Sequence, residues 1–348
     1  MAVQITCTDT TVIDVHRHCL VDPFTGGLPA PAQTIPLFVA GLHETDAYSA
    51  INVKGITSIL YPELMDIDCQ IQEQDRAGIM KSLLSFSMSL ETFSQVLHMP
   101  ALEVAKRLND ATAALVARYP TKLDFLVMVN PFQVSSIGEC ERCFNEHDAK
   151  GISIGTSWQG KFLDSPKLQP FWEYVQAKGI AIFLHPPMVP IGYRRMNRYR
   201  LEEIIGRPFD TTMTVTRMIY AGVFDQFPQL KIILPHMGGA LPNVIGRLDF
   251  GYRLGYEGLP ADQAARCQRK PSEYLRINLY VDTMGFSPEG IKQCIELFGV
   301  ERVLFGTDYA AVPISPKEHI DIVKSLGLSQ EEEAKIFWKN ANDLFRLT

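Results

Sequence analysis

The chain has 348 residues, of which 46% are hydrophobic and 21% charged, a composition typical of a globular protein. Its net charge of −6 and isoelectric point near 5.8 provide no basic field that would attract nucleic acid or an anionic membrane. No apolar run approaches the ~18 residues that a membrane-spanning helix needs. We therefore expect a soluble protein whose partners include neither nucleic acid nor a membrane.

Two further features concern the cellular compartment. The first residues, MAVQITCTDTT, have neither the basic segment nor the apolar segment of a signal peptide. The seven cysteines are odd in number and widely spread, which argues against a disulfide framework and favours a reducing compartment. We expect a cytoplasmic location.

Short apolar runs alternate with segments of helical period along the whole chain. The runs assigned to strands are Val12–Val15, either Gly55–Leu60 or Ile79–Phe86, Leu123–Val129, Gly151–Ile154, Ile180–Leu184, Lys231–Leu234, Ile277–Val281 and Arg302–Phe305. Strands separated by helices pair in parallel through right-handed crossovers, and about eight such units form a (β/α)₈ TIM barrel. No linker interrupts the alternation, so we expect one α/β domain covering residues 1–348.

The helical segments provide the crossovers of this barrel. They are Ala101–Tyr119, Asp210–Phe227, Leu241–Gly255, Pro288–Phe298, Ser315–Leu326 and Ser329–Leu347. Ser329 and Glu332 have the spacing of a capping box at the start of the last helix. Two stretches, Ser87–Pro100 and Pro186–Phe209, do not fit the alternation. The second is rich in Pro, Arg and Tyr and follows a strand, so it is read either as a lid-like loop insertion or as a surface excursion.

Histidine and aspartate residues follow four of the predicted strands. They are His16 and His18 after the first, His185 after GIAIFL, His236 after LKIILP and Asp308 after RVLFGT. In a TIM barrel the chemistry is located at the carboxyl ends of the strands, so these side chains are expected to meet at that end of the barrel, which we call its mouth. His43, His98, His147 and His319 fall in loops or helices and are expected to be solvated.

His16 and His18 are two residues apart, so their side chains point to the same face of a strand. Such a pair alone is as consistent with buried, hydrogen-bonded histidines as with a metal site. His185 and Asp308 favour the metal site, because they bring a third nitrogen and a carboxylate oxygen to the same mouth. Three nitrogens and one oxygen suit Zn²⁺, with Mn²⁺, Fe²⁺ or Co²⁺ as alternatives.

His236 is a fifth candidate at the mouth. Four other side chains already suffice to bind one ion, so His236 is expected to transfer a proton beside the metal rather than to bind it. The fourth strand ends in GISIGTSW, and Lys150 stands at its beginning, so no lysine is placed to bridge two ions. Trp158 and Arg247 also follow strands and are candidates for substrate binding, the alternatives being a packed aromatic and a surface ion pair.

With these residues in place, the chain resembles the amidohydrolase superfamily, in the branch of aminocarboxymuconate semialdehyde decarboxylase. The motifs that carry the resemblance are IDVHRH, KGISIGTSW, FLHPP, LPHMGGALPNVIGRLD and RVLFGTDY. The resemblance implies that His16, His18, His185 and Asp308 bind zinc and that His236 is the catalytic acid/base. It also implies that Arg247 reaches a substrate carboxylate, in some members across a dimer interface, so a dimer or tetramer is expected.

The sequence departs from the branch at two places. FGTDYA replaces the usual FGTDYP or FGSDYP beside Asp308. Gln70 and Gln72, in CQIQEQDRAG, stand where the enzyme that names the branch has arginines. One positively charged group for a substrate carboxylate is therefore missing or is supplied from elsewhere, with Arg194, Arg195 and Arg198 of the 186–209 loop as candidates.

Three functions are compatible with this set of residues. The first is non-oxidative decarboxylation of a small unsaturated or aromatic carboxylic acid, in which His236 and Asp308 handle the protons. The second is metal-dependent hydrolysis of a cyclic amide, lactone or ester, or hydration of a double bond. The third is a metabolite-binding barrel with a structural metal. The resemblance favours decarboxylation, and the missing arginines favour the second reading.

Overall fold

The structure is a computed structural model that describes residues 11–20, 42–44, 49–53, 56–86, 89–196, 198–254, 259–260 and 263–347. Between residues 42 and 60 it describes the backbone alone. The first ten residues, which carry the expectation about a signal peptide, lie outside this part. Ser87 and Gly255, at the ends of two predicted segments, and the side chain of His43 lie outside it as well.

The core of the described chain is an eight-stranded parallel sheet whose strands follow one another in chain order. The strands are β1 Ile13–His18, β2 Lys81–Ser85, β3 Leu123–Met128, β4 Gly151–Gly155, β5 Ala181–His185, β6 Lys231–Leu234, β7 Leu279–Asp282 and β8 Val303–Leu304. Val15 N donates to Phe305 O at 3.0 Å and Asp308 N donates to His16 O at 2.7 Å, so backbone bonds join the last strand to the first. The predicted TIM barrel is confirmed.

Helices surround this sheet. Their bounds are α1 Pro62–Met65, α2 Ile67–Ala77, α3 Leu90–Leu97, α4 Ala101–Arg118, α5 Ser135–Glu146, α6 Gln169–Lys178, α7 Arg207–Tyr220, α8 Val223–Gln226, α9 Leu241–Leu254, α10 Pro271–Leu275, α11 Pro288–Phe298, α12 Pro316–Lys324, α13 Gln330–Ala334 and α14 Asn340–Phe345. A π-helical turn, Glu202–Gly206, precedes α7, and a second one, Lys335–Lys339, joins α13 to α14. The predicted capping box of Ser329 and Glu332 is present at α13.

The barrel interior is an apolar cluster separate from the one between the sheet and the helices. Side chains from the strands, among them Val15, Leu83 and Phe183, pack there with Leu344 and Phe345 of α14. Strands present alternate residues to the two sides of a sheet, so this cluster fills the barrel while the other half of each strand faces the helices. The C-terminal helix therefore contributes to the same interior that supports the mouth.

The second barrel strand is β2, from the Ile79–Phe86 run. The competing run forms a different structure, because Ile56–Leu60 pairs with Ser49–Val53, and Ser49–Val53 with Leu42–Glu44, in a small antiparallel sheet. A second antiparallel pair, Ser157–Trp158 with Lys161–Phe162, follows β4. Both runs are strands, but only one has parallel partners on both sides.

Two expectations about irregular stretches need correction. The Ser87–Pro100 stretch contains α3, which begins after Ser89, whose side chain accepts a hydrogen bond from Thr92 N, and ends at His98 in the left-handed conformation. The Pro186–Phe209 stretch is already helical from Glu202, so the irregular part ends earlier than predicted and contains one 3₁₀ turn, Tyr193–Arg195. A capping side chain marks the start of α3, but the segment that begins at Glu202 has no such cap, and hydrophobic spacing alone reveals neither helix.

None of the helices in the described ranges combines the length and the hydropathy that a membrane crossing requires.

Asn340 offers a direct test of how the C-terminal helix is attached to β8. Its side-chain Nδ2 donates to Val300 O and to Val303 O, each at 2.8 Å, and the residue is buried. Asn340→Ala leaves two carbonyls without this donor and should cost about 1–3 kcal/mol of unfolding free energy. The measurement is the shift in the urea midpoint. Asn243→Ala on the exposed face of α9 is the control, and equal shifts in the two variants would contradict this role.

Candidate metal centre and catalytic site

The carboxyl ends of β1, β5 and β8 bring together the four predicted metal ligands. One ligand atom from each of His16, His18, His185 and Asp308 lies within 4.8 Å of all the others. His18 Nε2 is 3.2 Å from both His16 Nε2 and His185 Nε2, and 3.0 Å from Asp308 Oδ1. Residues as far apart in sequence as the first and last strands therefore form one cluster.

An irregularity in β1 helps to aim the two histidines. The register of β1 on β2 shifts between Asp14 and Arg17, which is the signature of a β-bulge. Val15 belongs to the interior cluster, yet the ring of the adjacent His16 also packs against the interior Phe183, with ring centroids 4.9 Å apart. A bulge re-aims side chains in this way, so an apolar residue and a ligand face the same side in succession.

The other ring nitrogen of each imidazole is engaged away from the cluster. The acceptors are Asp282 Oδ2 for His16 Nδ1 at 2.6 Å, Ser85 O for His18 Nδ1 at 3.1 Å and Pro186 O for His185 Nδ1 at 3.0 Å. These acceptors require the proton on Nδ1, which leaves the Nε2 lone pairs pointing at one another. Three converging lone pairs and a carboxylate repel one another unless a cation lies between them. The donor set therefore fits a divalent metal ion.

The electrostatic environment of His18, His185 and Asp308 favours the protonation states that bind metal, whereas the carboxylates of Asp308 and Asp282 raise the pKa of His16 in spite of its burial. Burial, reinforced by His18 and His16, lowers the pKa of His185 well below its usual value, and burial also lowers the pKa of His18. Burial would raise the pKa of Asp308, but attraction to His16 and the close contacts of its two oxygens with His18 and His236 hold it well below the usual range. Neutral imidazoles and an ionised carboxylate are the forms that bind a metal ion.

Asp282, at the end of β7, is a functional residue that the sequence reasoning missed. Besides accepting from His16 Nδ1, its carboxylate accepts from the backbone N–H groups of Met237, at 3.1 Å, and Met284, at 3.2 Å. It therefore fixes the His16 tautomer and contacts the turn that carries His236. The available signal was an aspartate directly after the NLYV strand, which was not counted among the polar strand ends.

His236 lies on a tight turn after β6 and contacts the cluster through Asp308. Its Nε2 is 3.3 Å from Asp308 Oδ2, the oxygen that does not contact His18, while its Nδ1 has no hydrogen-bond partner among the described residues. Four consecutive residues, His236 to Gly239, have positive φ values of 55°, 55°, 77° and 66°. A Cβ on Gly239 would lie 2.3 Å from Pro208 O, so only glycine fits there. Such a conformation in non-glycine residues is typical of functional sites.

Arg17 and Gln70 form a buried layer behind the cluster. Arg17 is fully buried, and its guanidinium donates to Gln70 O at 2.6 Å and to Gln70 Oε1 at 3.2 Å. Gln70 Nε2 in turn donates to His18 O at 3.1 Å. Gln70 therefore supports β1 from behind, and Gln72 is exposed on α2. Neither stands at the mouth, where the family's arginines were expected to act.

The two predicted substrate-binding residues lie in different surroundings. Trp158 is partly buried and lines a small pocket together with His185. Arg247 is exposed on α9. Substrate binding by either stays a prediction.

His319 was expected to be solvated and is instead buried, with its ring 5.4 Å from the ring of Phe286. Its position on the inner face of the amphipathic helix α12 accounts for this, because that face packs against the barrel. His98 is exposed as expected, and His147 is partly buried beside Arg142.

A cavity of about 530 Å³ opens onto this cluster. His236 and Asp308 line it, together with apolar side chains such as Met237 and Phe286. Its size is in the range of ligand-binding cavities, about 300–1,000 Å³. The cluster is therefore accessible to a small molecule.

Comparison with known proteins agrees with this geometry. The family model described as Amidohydrolase matches residues 72–347, so the chain belongs to this amidohydrolase family. It is 34% identical, over 70% of this chain and 66% of the relative, to a 2-amino-3-carboxymuconate-6-semialdehyde decarboxylase from Dictyostelium discoideum. It is 30% identical, over 83% of this chain and 90% of the relative, to a gamma-resorcylate decarboxylase from Polaromonas sp. strain JS666. The family expected from the sequence motifs is confirmed.

Solved structures resemble the fold over nearly its whole length. A 5-carboxyvanillate decarboxylase from Sphingomonas paucimobilis has a TM-score of 0.80 and 27% identity, covering 97% of this chain and 100% of that one. A dihydroxybenzoic acid decarboxylase from Polaromonas sp. JS666, with bound manganese and the inhibitor 2-nitroresorcinol, has a TM-score of 0.75 and 25% identity, covering 97% of each chain. Together with the His and Asp cluster, these findings support a single divalent metal ion.

Asp282→Asn tests the contact that fixes His16. An amide can present its NH₂ group to Nδ1 and favour the wrong tautomer, so metal affinity should fall by about 10- to 100-fold. The measurement is competition for Zn²⁺ or Mn²⁺ against a chelator of known affinity. Asp249→Asn, which removes a carboxylate that accepts from Ser272 away from the cluster, is the control. Unchanged metal affinity in Asp282→Asn would refute this role.

Proposed function

We propose that this protein is a metal-dependent decarboxylase that removes CO₂ non-oxidatively from a small aromatic carboxylic acid. The observation that carries the proposal is that the two oxygens of Asp308 have different contacts. One of its oxygens belongs to the cluster with His16 and His18, and the other contacts His236 at the cavity. The relatives named as decarboxylases of aromatic acids support the same reaction.

The metal proposed from the donor set is Zn²⁺, held by His16, His18, His185 and Asp308. A divalent cation there supplies Lewis-acid stabilisation of negative charge on substrate oxygens. Mn²⁺ is the ion found in the dihydroxybenzoic acid decarboxylase relative. Reconstitution of the metal-free protein with each ion separately tells the two apart by activity per bound ion.

The cavity is suited to an aromatic ring. Met237, Met284 and Phe286 contribute apolar surface, and Tyr61 adds a second aromatic side chain. Excluding water from the ring strengthens the electrostatic interactions of the acid group with the His and Asp cluster. With a cation held by the cluster, an acid group that faces it would place the carbon that loses CO₂ beside His236 and Asp308, the groups proposed to handle protons.

Decarboxylation requires one proton for each CO₂ released. The bond between the ring carbon and the carboxylate breaks, its electron pair stays on the ring, and a proton is added to that carbon. His236 Nε2 and Asp308 Oδ2 share a hydrogen bond at the mouth, so this pair is the proposed proton source. A proton from water then restores the pair after the product leaves.

His236→Asn tests this proton transfer. It removes the imidazole but keeps all four proposed ligands, so kcat should fall at least about 100-fold while the metal content remains unchanged. His98→Asn is a matched control, because His98 is exposed at a helix end in a left-handed conformation that asparagine tolerates. CO₂ release by His236→Asn at the wild-type rate would eliminate the proposed role.

Mass spectrometry of the products separates the two reaction classes. Hydroxybenzoates and muconates are incubated with metal-loaded protein in parallel with cyclic amides, lactones and esters. We expect the loss of CO₂ from an acid and its absence after chelation, with recovery on adding metal back. A product heavier by one water would instead establish hydrolysis or hydration. If no compound is converted and chelation unfolds the protein, a structural metal is favoured.

The predicted homo-oligomer remains part of this proposal. Phe250 and Leu254 are large apolar residues exposed on α9, the helix that also carries the exposed Arg247. Exposed apolar residues on one helix are typical of a subunit interface. Light scattering on the purified protein distinguishes a monomer from a dimer or tetramer. The cytoplasmic location also stays a prediction.

A further inference from the structure

A group of three charged residues forms part of the wall of the 530 Å³ cavity. Arg200, Glu203 and Arg207 line it together with His236 and Asp308. Glu203 Oε2 accepts from Arg200 Nη2 at 2.6 Å, and Glu203 Oε1 is 3.7 Å from Arg207 Nη1. One carboxylate thus lies between two guanidinium groups. We call this group the arginine wall.

The backbone places Glu203 and Arg207 on one side of a helix, with Arg200 in the turn that precedes it. Glu203 and Arg207 are four residues apart across the π-helical turn Glu202–Gly206 and the first residue of α7, and Arg200 has a φ of 56°. Residues at this spacing lie along one helix face, and π-helical turns occur frequently at functional sites. A Cβ on Gly206 would lie 2.7 Å from Pro190 Cγ, so the turn packs tightly against the preceding loop. The wall therefore has a defined position at the cavity.

The arginine wall has more cationic than anionic groups. It contains two guanidinium groups and one carboxylate, and among the described residues that line the cavity the other side chains, apart from His236 and Asp308, are uncharged. A guanidinium has five N–H donors, so Arg207 can keep its contact with Glu203 and still donate to another carboxylate. Arg207 is also only 22% exposed, so solvent screens its charge less than that of Arg200, which is 46% exposed.

We propose that Arg207, assisted by Arg200, binds a second carboxylate of the substrate. This inference rests on the proposed function, since the first carboxylate is the one lost at the metal centre. The preferred substrates are then aromatic acids with two carboxylate groups on one ring. Arg207 is a specificity-determining residue, and it takes the place of the arginines that the sequence lacks at Gln70 and Gln72.

The three arginines considered from the sequence are less suited to this task. Arg194, Arg195 and Arg198 are all exposed, and none lines this cavity. The guanidinium of Arg194 lies over the ring of Tyr193, 5.8 Å from its centroid. Arg194→Gln therefore makes the same change of charge in the preceding loop and is a matched control for Arg207→Gln.

The test measures equilibrium binding, because binding does not depend on turnover. Benzoate, isophthalate and terephthalate are titrated into metal-loaded protein by calorimetry. The wild type should bind one of the two dicarboxylates about 10- to 100-fold more tightly than benzoate, the gain expected from a charge-assisted, bidentate contact. Arg207→Gln should lose this preference with benzoate affinity unchanged, Arg207→Lys should keep part of it, and Arg194→Gln should keep all of it.

Three results would overturn the inference: no preference for a dicarboxylate in the wild type, a preference that survives in Arg207→Gln, or an equal loss in Arg194→Gln. The proposed function fails separately. A dicarboxylate preference that depends on Arg207, without CO₂ release from any acid, would keep the carboxylate-binding site and reject the decarboxylase. For turned-over dicarboxylates, Arg207→Gln should raise KM by about 10- to 100-fold while kcat changes little.

Discussion

The interaction on which the site depends is the approach of three imidazole nitrogens and one carboxylate to within 4.8 Å of one another. Their Nδ1 groups are already committed to Asp282, Ser85 O and Pro186 O, so no ring proton is left to separate the Nε2 lone pairs. A cation bound between these groups would remove their mutual repulsion. The cluster depends on the whole barrel, because its four residues follow or end three strands that only a closed sheet brings together.

Buried polar contacts hold those strands in the required positions. Asp14 accepts from Thr307 Oγ1 at 2.6 Å, from Thr307 N at 3.1 Å and from His16 N at 3.1 Å, which connects β1 to the segment that carries Asp308. Arg17, on the same strand, connects β1 to α2 through Gln70 and to β2 through Ser82 Oγ at 3.3 Å. Buried groups of this kind are costly unless they are hydrogen-bonded, and these are. β1, which carries His16 and His18, is therefore supported on both sides.

The parts of the molecule that the sequence predicted well depend on repetition. The alternation of apolar runs and helical periods predicted the barrel, and polar residues directly after those runs predicted the four side chains that converge at its mouth. The second strand was ambiguous because Ile56–Leu60 and Lys81–Ser85 are both genuine strands, and only pairing partners distant in sequence decide which belongs to the barrel. Asp282 was missed for a related reason, since its importance comes from His16, 266 residues away. Arg207 was missed because the helix begins before the expected end of the loop.

The same contacts explain why the position of Gln70 cannot supply a charge for a second carboxylate, and why we infer that α7 does. Gln70 has two neutral hydrogen-bonding groups, one of which accepts from Arg17 while the other donates to His18 O. An arginine there has no acceptor to offer and would place a second guanidinium beside the fully buried Arg17, at a cost of about several kcal/mol for an unpaired buried charge. The position that supports the ligand strand therefore cannot also supply a cation to the mouth. Arg207 lies at the start of a separate helix, where a positive charge stays partly hydrated and does not disturb β1.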